Sequence, residues 1–256
     1  MLRLRAKTTE ERHIGLARAL SKKGLCSRSA AAELISAGRV RLNGVIVRDP
    51  EARTRSDSQI DVDGARIDHA PSVYVMLNKP RGLVTTAQDE RGRDTVYRCF
   101  TDSALPWIAP VGRLDQASEG LLLFTNDSEW SAAILAPLHQ VARTYHVQIE
   151  GIPPPVTLAR LNEGVIARDG EVLRVQCARL LRQGERNAWL EFALMEGRNR
   201  HLRRMLEVVG HPVLRLLRIA IGELELGDLA KGAWRHLSMA EVRSLAEPRG
   251  HAAGER

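Results

Sequence analysis

A single acidic residue, Asp115, stands in a loop that glycines bracket and that leads into an apolar strand. The loop runs from Gly112 to Gly120, with Arg113 two residues before the aspartate and Ser118 three residues after it. A carboxylate held in a loop on a rigid strand is suited to act as a nucleophile or as a general base. The alternative is structural, because aspartate also caps turns and pairs with a neighbouring arginine. Residue types and spacing alone leave both interpretations open.

A tyrosine lies within a segment that alternates as a strand. Residues 142–151 place Tyr145, Val147 and Ile149 on one face, which is the pattern of a strand with one buried side. By this periodicity alone, a core aromatic is the more frequent role of such a tyrosine, and contact with a ligand is the other.

Four arginines crowd the start of a predicted helix, which Asn199 is expected to cap and which Gly210 and Pro212 end. They are Arg198, Arg200, Arg203 and Arg204. Because the amino-terminal end of a helix disfavours cations, the cluster should have an anionic partner. A surface cluster without a partner is the alternative.

These segments together resemble the RsuA-type ribosomal RNA pseudouridine synthases. The match comprises Gly-Arg-Leu-Asp, a serine three residues later, a glycine two beyond and a leucine-rich strand that ends in Thr-Asn-Asp. The resemblance implies that Asp115 is catalytic, that Tyr145 stacks on the target base and that Arg203 forms a salt bridge with the aspartate. At two positions the sequence departs from the family: Arg143 stands where lysine is usual, and His201 where glutamine is usual.

The first part of the chain is predicted to form two short helices and a hairpin. One helix spans His13 to Lys23, and Ser27 caps a second that runs through Ala37. The pair Asn43-Gly44 then predicts a two-residue hairpin turn. This segment resembles the S4-type RNA-binding domain over residues 12–68, which implies structured RNA as the ligand. From the residues alone, a solvated face and a phosphate-contacting patch are equally plausible.

Composition agrees with a soluble chain that binds a polyanion. The 256 residues have a formal net charge of +7, of which +5 falls in residues 1–70. The chain lacks the roughly 18 consecutive apolar residues that a membrane span needs, and its start lacks the apolar core of a secretory signal. Three cysteines far apart predict neither a disulfide framework nor a zinc site.

We therefore expect an α+β protein in which a mixed, largely antiparallel sheet follows a small RNA-binding domain. The predicted parts are a basic extension (1–11), the S4-type domain (12–68), a linker (69–72), the catalytic domain (73–247) and a disordered tail (248–256). The residues expected to contact RNA are Arg18, Lys22, Lys23, Arg28, Arg39, Arg41, Lys79, Arg81, Arg113, Arg143, Arg198, Arg200 and Arg204. No metal or organic cofactor is expected, because neither metal-ligand spacing nor a glycine-rich phosphate loop is present.

Isomerisation of uridine needs the C1′–N1 bond broken, the uracil turned and a C1′–C5 bond made. One carboxylate suffices, either adding to the ring or ribose or removing a ribose proton, and no second acid is required because no water is used. The target nucleotide must flip out of its stack. We expect a cytoplasmic monomer that acts on ribosomal RNA, with neither DNA nor membrane as partner. Residues 145–153, followed by Glu163-Gly164-Val165 and Asp169-Gly170, resemble the large-subunit members of the family more closely, which favours large-subunit RNA.

Two other functions fit parts of the sequence. A non-catalytic ribosome-assembly factor would explain the basic first domain but would not require Asp115, Tyr145 and Arg203 together. An RNA-directed nuclease or N-glycosidase would explain a loop carboxylate among arginines. A nuclease would normally carry several metal-binding acids, and this pattern is not seen.

Overall fold

A computed structural model describes residues 13–55, 57–136 and 141–247 of the chain. The predicted basic extension and the predicted disordered tail lie outside the described residues. The chain forms two compact units. Unit 1 holds the described residues up to Ser72 together with Ala104–Ala109, and unit 2 holds Val73–Ser103 and the described residues from Pro110 onward. The sequence pattern had placed residues 104–109 in the larger domain.

Unit 1 consists of two helices and short strands. Its elements are β1 (Ile14–Gly15), α1 (Leu16–Lys22), α2 (Arg28–Ser36), β2 (Val40–Leu42), β3 (Val45–Ile46), β4 (Arg53–Thr54), β5 (Ile60–Val62) and β6 (Ala65–Arg66). An antiparallel sheet has the order β3-β2-β5-β6, and β1 pairs with β4. Side chains such as Leu16, Leu20, Ile35 and Ile60 form its core.

Local sequence signals predicted most of unit 1. The Ser27 hydroxyl accepts a hydrogen bond from the Ala30 amide at 3.1 Å, which confirms the predicted cap. Asn43 and Gly44 have φ of 51° and 84°, as a two-residue hairpin turn of this type requires. The predicted start of the first helix was wrong: Ile14 pairs with Thr54 in a strand, so α1 begins at Leu16.

Unit 2 is built on one large sheet. Its first elements are β7 (Tyr74–Lys79), a 3-10 helix (Val96–Phe100), β8 (Ala109–Val111, of which Ala109 is assigned to unit 1), β9 (Glu119–Thr125), α3 (Ser128–Leu135), β10 (Arg143–Glu150) and α4 (Pro155–Glu163). They are followed by β11 (Val165–Ile166), β12 (Val172–Leu173), β13 (Cys177–Gln183), β14 (Asn187–Leu194), α5 (His201–Val208), β15 (Val213–Ile221), β16 (Leu224–Glu225), β17 (Trp234–His236) and α6 (Met239–Ala246).

The order of the main strands is β13-β14-β10-β15-β9-β7-β17, with β8 on β9 and β16 on β15. The pairing of β15 with β9 is parallel, whereas the other neighbours along the main order are antiparallel. This arrangement confirms the predicted α+β class with a mixed, largely antiparallel sheet. Strand β9 is buried along its whole length, so the loop that precedes it is anchored to the rigid centre of the sheet. No helix among the described residues is long and apolar enough to cross a membrane.

Candidate active site

The Asp115 loop connects β8 to the centre of the sheet. Gly112 has a φ of +76° where the chain leaves β8, and the Ser118 amide donates to the Asp115 carbonyl oxygen at 2.9 Å to close a turn before β9. The Thr85 hydroxyl donates to the carbonyl oxygen of buried Leu114 at 2.7 Å. The Asp115 side chain itself is exposed. The loop therefore fixes its backbone and leaves the carboxylate accessible.

Lys79 lies beneath this turn and is fully buried. Its Nζ donates to the carbonyl oxygens of Pro80, Asp115 and Ser118 at 3.1, 3.2 and 2.8 Å. Burial lowers the pKa of Lys79 to about 8, and the Asp115 carboxylate opposes that shift. Lys79 had been expected to contact RNA. That prediction was wrong, because three main-chain acceptors hold its ammonium group inside the protein.

Gly120 allows β9 to approach β15 closely. It has a φ of +99°, and a Cβ at this position would lie 2.3 Å from the Arg218 carbonyl oxygen. Only glycine accommodates both conditions. The approach places Arg218 of β15 beside the strand that begins where the Asp115 turn ends.

A cavity of about 700 Å³ is lined by Asp115, Tyr145 and Arg203. Tyr145 projects from β10, where it pairs with Phe192 on one side and Arg218 on the other. Its side chain is 8% exposed. The volume lies within the range of typical small-ligand sites. The three residues that the resemblance predicted as catalytic thus share one cavity.

Arg203 reaches this cavity from α5. Its Nη2 donates to the Ala117 carbonyl oxygen at 3.0 Å, and its buried Nε has no partner among the described residues. Burial lowers the pKa of Arg203; the charges of Arg200 and Arg81 lower it further, and Asp115 raises it. Asp115 therefore attracts Arg203, but the expected salt bridge is not formed between these two described residues. The Asp115 side chain faces solvent, while the guanidinium bonds to the turn two residues away.

The start of α5 differs from the prediction. Arg200, rather than Asn199, is the N-cap residue, and it adopts the left-handed conformation with a φ of 48° without a side-chain cap. His201, in the next position, is 4% exposed and lines the cavity. Burial lowers its pKa.

Arg198 and Arg204 have acidic partners within the chain. Arg204 contacts Asp169 and Glu171 at 2.6 Å each, and Arg198 contacts Glu171 at 2.6 Å. These acids lie between β11 and β12, so ion pairs fasten this hairpin to α5 and the loop before it. The predicted anionic partner of the cluster is thus, for two of its arginines, a protein carboxylate. Sequence reasoning missed this pairing.

The remaining predicted RNA contacts fall into separate groups. Arg81, Arg113 and Arg200 line a second cavity of about 510 Å³, which also contains Asp115. Arg143 is held by the carbonyl oxygens of Val141 and Met195 at 3.1 and 3.2 Å. It therefore lies in the wall of the first cavity rather than on an open surface.

In unit 1, the predicted cations occupy the helices and the hairpin region. Arg18, Arg28 and Arg41 are exposed, and Lys22 and Lys23 are half-buried. Arg39 makes two hydrogen bonds to the carboxylate of Asp63 through its Nε, at 3.0 and 3.2 Å. Among the described residues, no group of three His, Cys, Asp or Glu side chains is placed to hold a metal ion.

Comparison with known proteins identifies relatives of both units. The family model described as RNA pseudouridylate synthase matches residues 73–208, and the S4 domain model matches residues 14–60. The chain is 35% identical over 232 residues to the ribosomal large subunit pseudouridine synthase B of Bacillus subtilis, covering 90% of this chain and 94% of that protein. An uncharacterized RNA pseudouridine synthase of Aquifex aeolicus is 37% identical over 229 residues, or 88% of this chain and 91% of that protein.

A crystal structure of a pseudouridylate synthase has the same fold. Its TM-score is 0.64 at 28% identity, and the match covers 91% of this chain and 99% of that one. Sequence and structure agree over both units, and Asp115, Tyr145 and Arg203 all lie in the part that the synthase model matches. The chain therefore belongs to the RNA pseudouridylate synthase family and is an RNA pseudouridine synthase that also carries an S4 domain.

Proposed function

We propose that this enzyme converts specific uridines of large-subunit ribosomal RNA to pseudouridine, with Asp115 as its catalytic carboxylate. The observation that supports the site is that Asp115, Tyr145 and Arg203 line one cavity. The choice of RNA is supported by the similarity to the ribosomal large subunit synthase of Bacillus subtilis.

Each of the three residues has a separate task in this proposal. Asp115 supplies the single carboxylate that engages the flipped nucleotide, and its exposed side chain is free to do so. Tyr145 offers a ring face on which the uracil stacks while it is detached from the ribose. Arg203 provides a positive charge next to the Asp115 turn and donates a hydrogen bond to the Ala117 carbonyl oxygen of that turn.

Unit 1 supplies affinity for the RNA in this proposal. Its exposed arginines on the helices and hairpin, Arg18, Arg28 and Arg41, are placed to contact phosphates. Arg39 contributes less, because Asp63 already engages its guanidinium. We further propose that the enzyme acts as a cytoplasmic monomer on RNA and not on DNA or at a membrane.

The proposal is tested by mapping pseudouridine in ribosomal RNA from cells with and without the gene. We expect one or a few large-subunit positions to lose the modification and to regain it when the wild-type gene is restored. Loss confined to small-subunit RNA would show that the proposed substrate is wrong, and no loss in any ribosomal RNA would reject ribosomal RNA as the substrate.

The docking role of unit 1 is tested in the full chain by changing Arg18, Arg28 and Arg41 to Gln. Each lost phosphate contact should flatten the slope of log affinity against log salt by about 0.7–0.9. The rate of conversion of bound RNA should stay within about 3-fold. The same change at exposed Arg160, Arg182 and Arg186, which line neither cavity, is the control. Equal slopes for both triple variants would refute the docking role.

A further inference from the structure

Arg218 is a buried cation that the roles given above leave without a task. Its side chain is 4% exposed and lines the cavity. Its Nε donates to the Leu121 carbonyl oxygen at 2.7 Å, while its buried Nη2 has no hydrogen-bond partner in the described part of the chain. A buried guanidinium with an unused donor is unfavourable for the fold by itself. An arginine that is buried in spite of this unfavourable contribution indicates that its charge has a function.

A β-bulge and a close approach of two strands position Arg218. Strand β15 contains one extra residue, Ile219, between the pair Thr144–Ala220 and the pair Tyr145–Arg218. Such bulges re-aim side chains and are frequent beside active sites. On its other side, Arg218 pairs with Gly120, the residue that permits close strand approach. Arg218 is thus held next to Tyr145 and next to the strand that follows the Asp115 turn.

A second, half-buried cation lies nearby. Arg143 also lines the cavity, and burial lowers its pKa, with the charge of Arg218 lowering it further. Neither arginine forms an ion pair with an acid among the described residues, whereas Arg198 and Arg204 near α5 do. The cavity therefore has two adjacent cations in its wall and an exposed carboxylate, Asp115, on the loop that borders it.

We propose that Arg218, supported by Arg143, stabilises the negative charge that develops on the uracil when it separates from the ribose. This inference rests on the proposed function. In it, the positive charge of Arg218 interacts with the uracil base, and the negative charge of Asp115 acts at the ribose.

The chemistry of the isomerisation creates such a charge. When the C1′–N1 bond breaks, its electron pair stays on the uracil, and the negative charge spreads over N1, O2 and O4. The base turns, the C1′–C5 bond forms from an electron pair of the ring, C5 loses its proton and N1 gains one. Atoms and electrons balance without an oxidant, a reductant or water. A fixed cation at the site of charge development lowers the barrier most where water is excluded.

The test compares Arg218→Met and Arg218→Gln with wild type in single-turnover reactions at saturating RNA. The readout is disappearance of the target nucleoside from nuclease digests. Removal of one preorganised donor typically slows a reaction about 100-fold or more. We therefore expect the single-turnover rate to fall by that factor while RNA affinity stays within about 3-fold of wild type. Arg218→Lys, which retains the charge, should recover part of the rate. Arg182→Met, the same substitution at an exposed position outside the cavity, should retain the wild-type rate.

A second substrate separates this role from a general disturbance of the site. RNA with 5-fluorouridine at the target carries a base that leaves more readily as an anion. Because fluorine replaces the C5 proton, the ring cannot be deprotonated at C5, and the assay therefore follows consumption of the nucleoside up to formation of the C1′–C5 bond. The deficit of Arg218→Met should therefore be smaller for this RNA than for uridine RNA, by about 3-fold or more. An equal deficit for both substrates would overturn the inference, as would conversion of uridine within about 3-fold of wild type.

Stability distinguishes the remaining outcomes. Because the proposal holds that the fold does not need this charge, Arg218→Met should unfold at the wild-type temperature or above. If both neutral variants fail to fold, Arg218 is structural and the inference is wrong. Wild-type protein that converts no RNA would instead show that the proposed function fails, whatever the variants do.

Discussion

The ammonium group of Lys79 lies 3.2 Å from the carbonyl oxygen of Asp115, beneath the turn that presents the proposed catalytic carboxylate. A second bond, to the Ser118 carbonyl oxygen at 2.8 Å, ties the other end of the turn to the same nitrogen. A loop residue is thus positioned by a buried lysine on the neighbouring strand β7. This relationship makes the geometry of the site depend on a group that never meets the substrate.

Lys79 should give the stability of the protein a measurable dependence on pH. Its pKa is about 8 in the folded protein, against an ordinary value of 10.5. Between these values the unfolded chain binds more protons, so stability rises with pH, by up to about 1.4 kcal/mol per unit. Below this window the contribution is level. The measurement is the difference in unfolding free energy between wild type and Lys79→Met, by urea titration from pH 7 to 10.5. A difference that stays flat or falls as pH rises would contradict the assignment.

Gly120→Ala should destabilise the sheet at the point where β9 and β15 meet. The added Cβ would lie 2.3 Å from a main-chain oxygen, at a φ of +99°. Strain and overpacking together should cost about 2 kcal/mol or more. Gly82→Ala is a matched control, because its φ is +101° with no atom within 4 Å of the added methyl group. Equal losses of stability in urea titrations would show that the close approach is unimportant.

Tyr145 should act through its ring rather than its hydroxyl group. Stacking of a base on an aromatic ring is worth about 1–3 kcal/mol, so Tyr145→Leu should slow conversion of bound RNA by roughly 5- to 150-fold. Tyr145→Phe retains the ring face and should stay within about 3-fold of wild type. The measurement is the single-turnover rate of each variant, compared with that of wild type. A phenylalanine variant as slow as the leucine variant would assign the role to the hydroxyl group.

The arginines near α5 should differ in their contribution to RNA binding. Arg200 lines the second cavity, whereas Arg204 is held by Asp169 and Glu171. Arg200→Met should therefore flatten the slope of log affinity against log salt by about 0.7–0.9, the value expected for one lost phosphate contact. Arg204→Met should change it little. The reverse order would mean that RNA displaces the hairpin between β11 and β12 from Arg204.

Local patterns predicted the sheet, the hairpin and the three motifs because each depends on residues close together in the chain. Alternation in residues 142–151 predicted a strand with Tyr145 on its buried face, which the structure confirms. Apart from the cap of α5, the errors concern pairings across long distances. Lys79 follows an apolar run and precedes a Pro-Arg-Gly turn, so its sequence gives no sign that residues 115–118 cover it.

Dependence on long-range packing also explains why the sequence did not reveal the ion pairs of α5 or the burial of Arg218 on β15. Asp169 and Arg204 are 35 positions apart, and their pairing depends on how the hairpin packs. Arg218 occurs in a largely apolar strand that contains one other cation, Arg215, and its sequence suggests no partner. Its burial becomes visible only once β10 and β9 lie on either side of it.

Asp115→Asn tests the central claim most directly, because the side chain is exposed and the change preserves its shape. The measurement is the single-turnover rate of pseudouridine formation at the mapped target, together with RNA affinity and thermal stability. We predict no detectable pseudouridine, affinity within about 3-fold of wild type and an unchanged unfolding temperature. Pseudouridine formation by the folded variant at the wild-type rate would show that Asp115 is not the catalytic carboxylate.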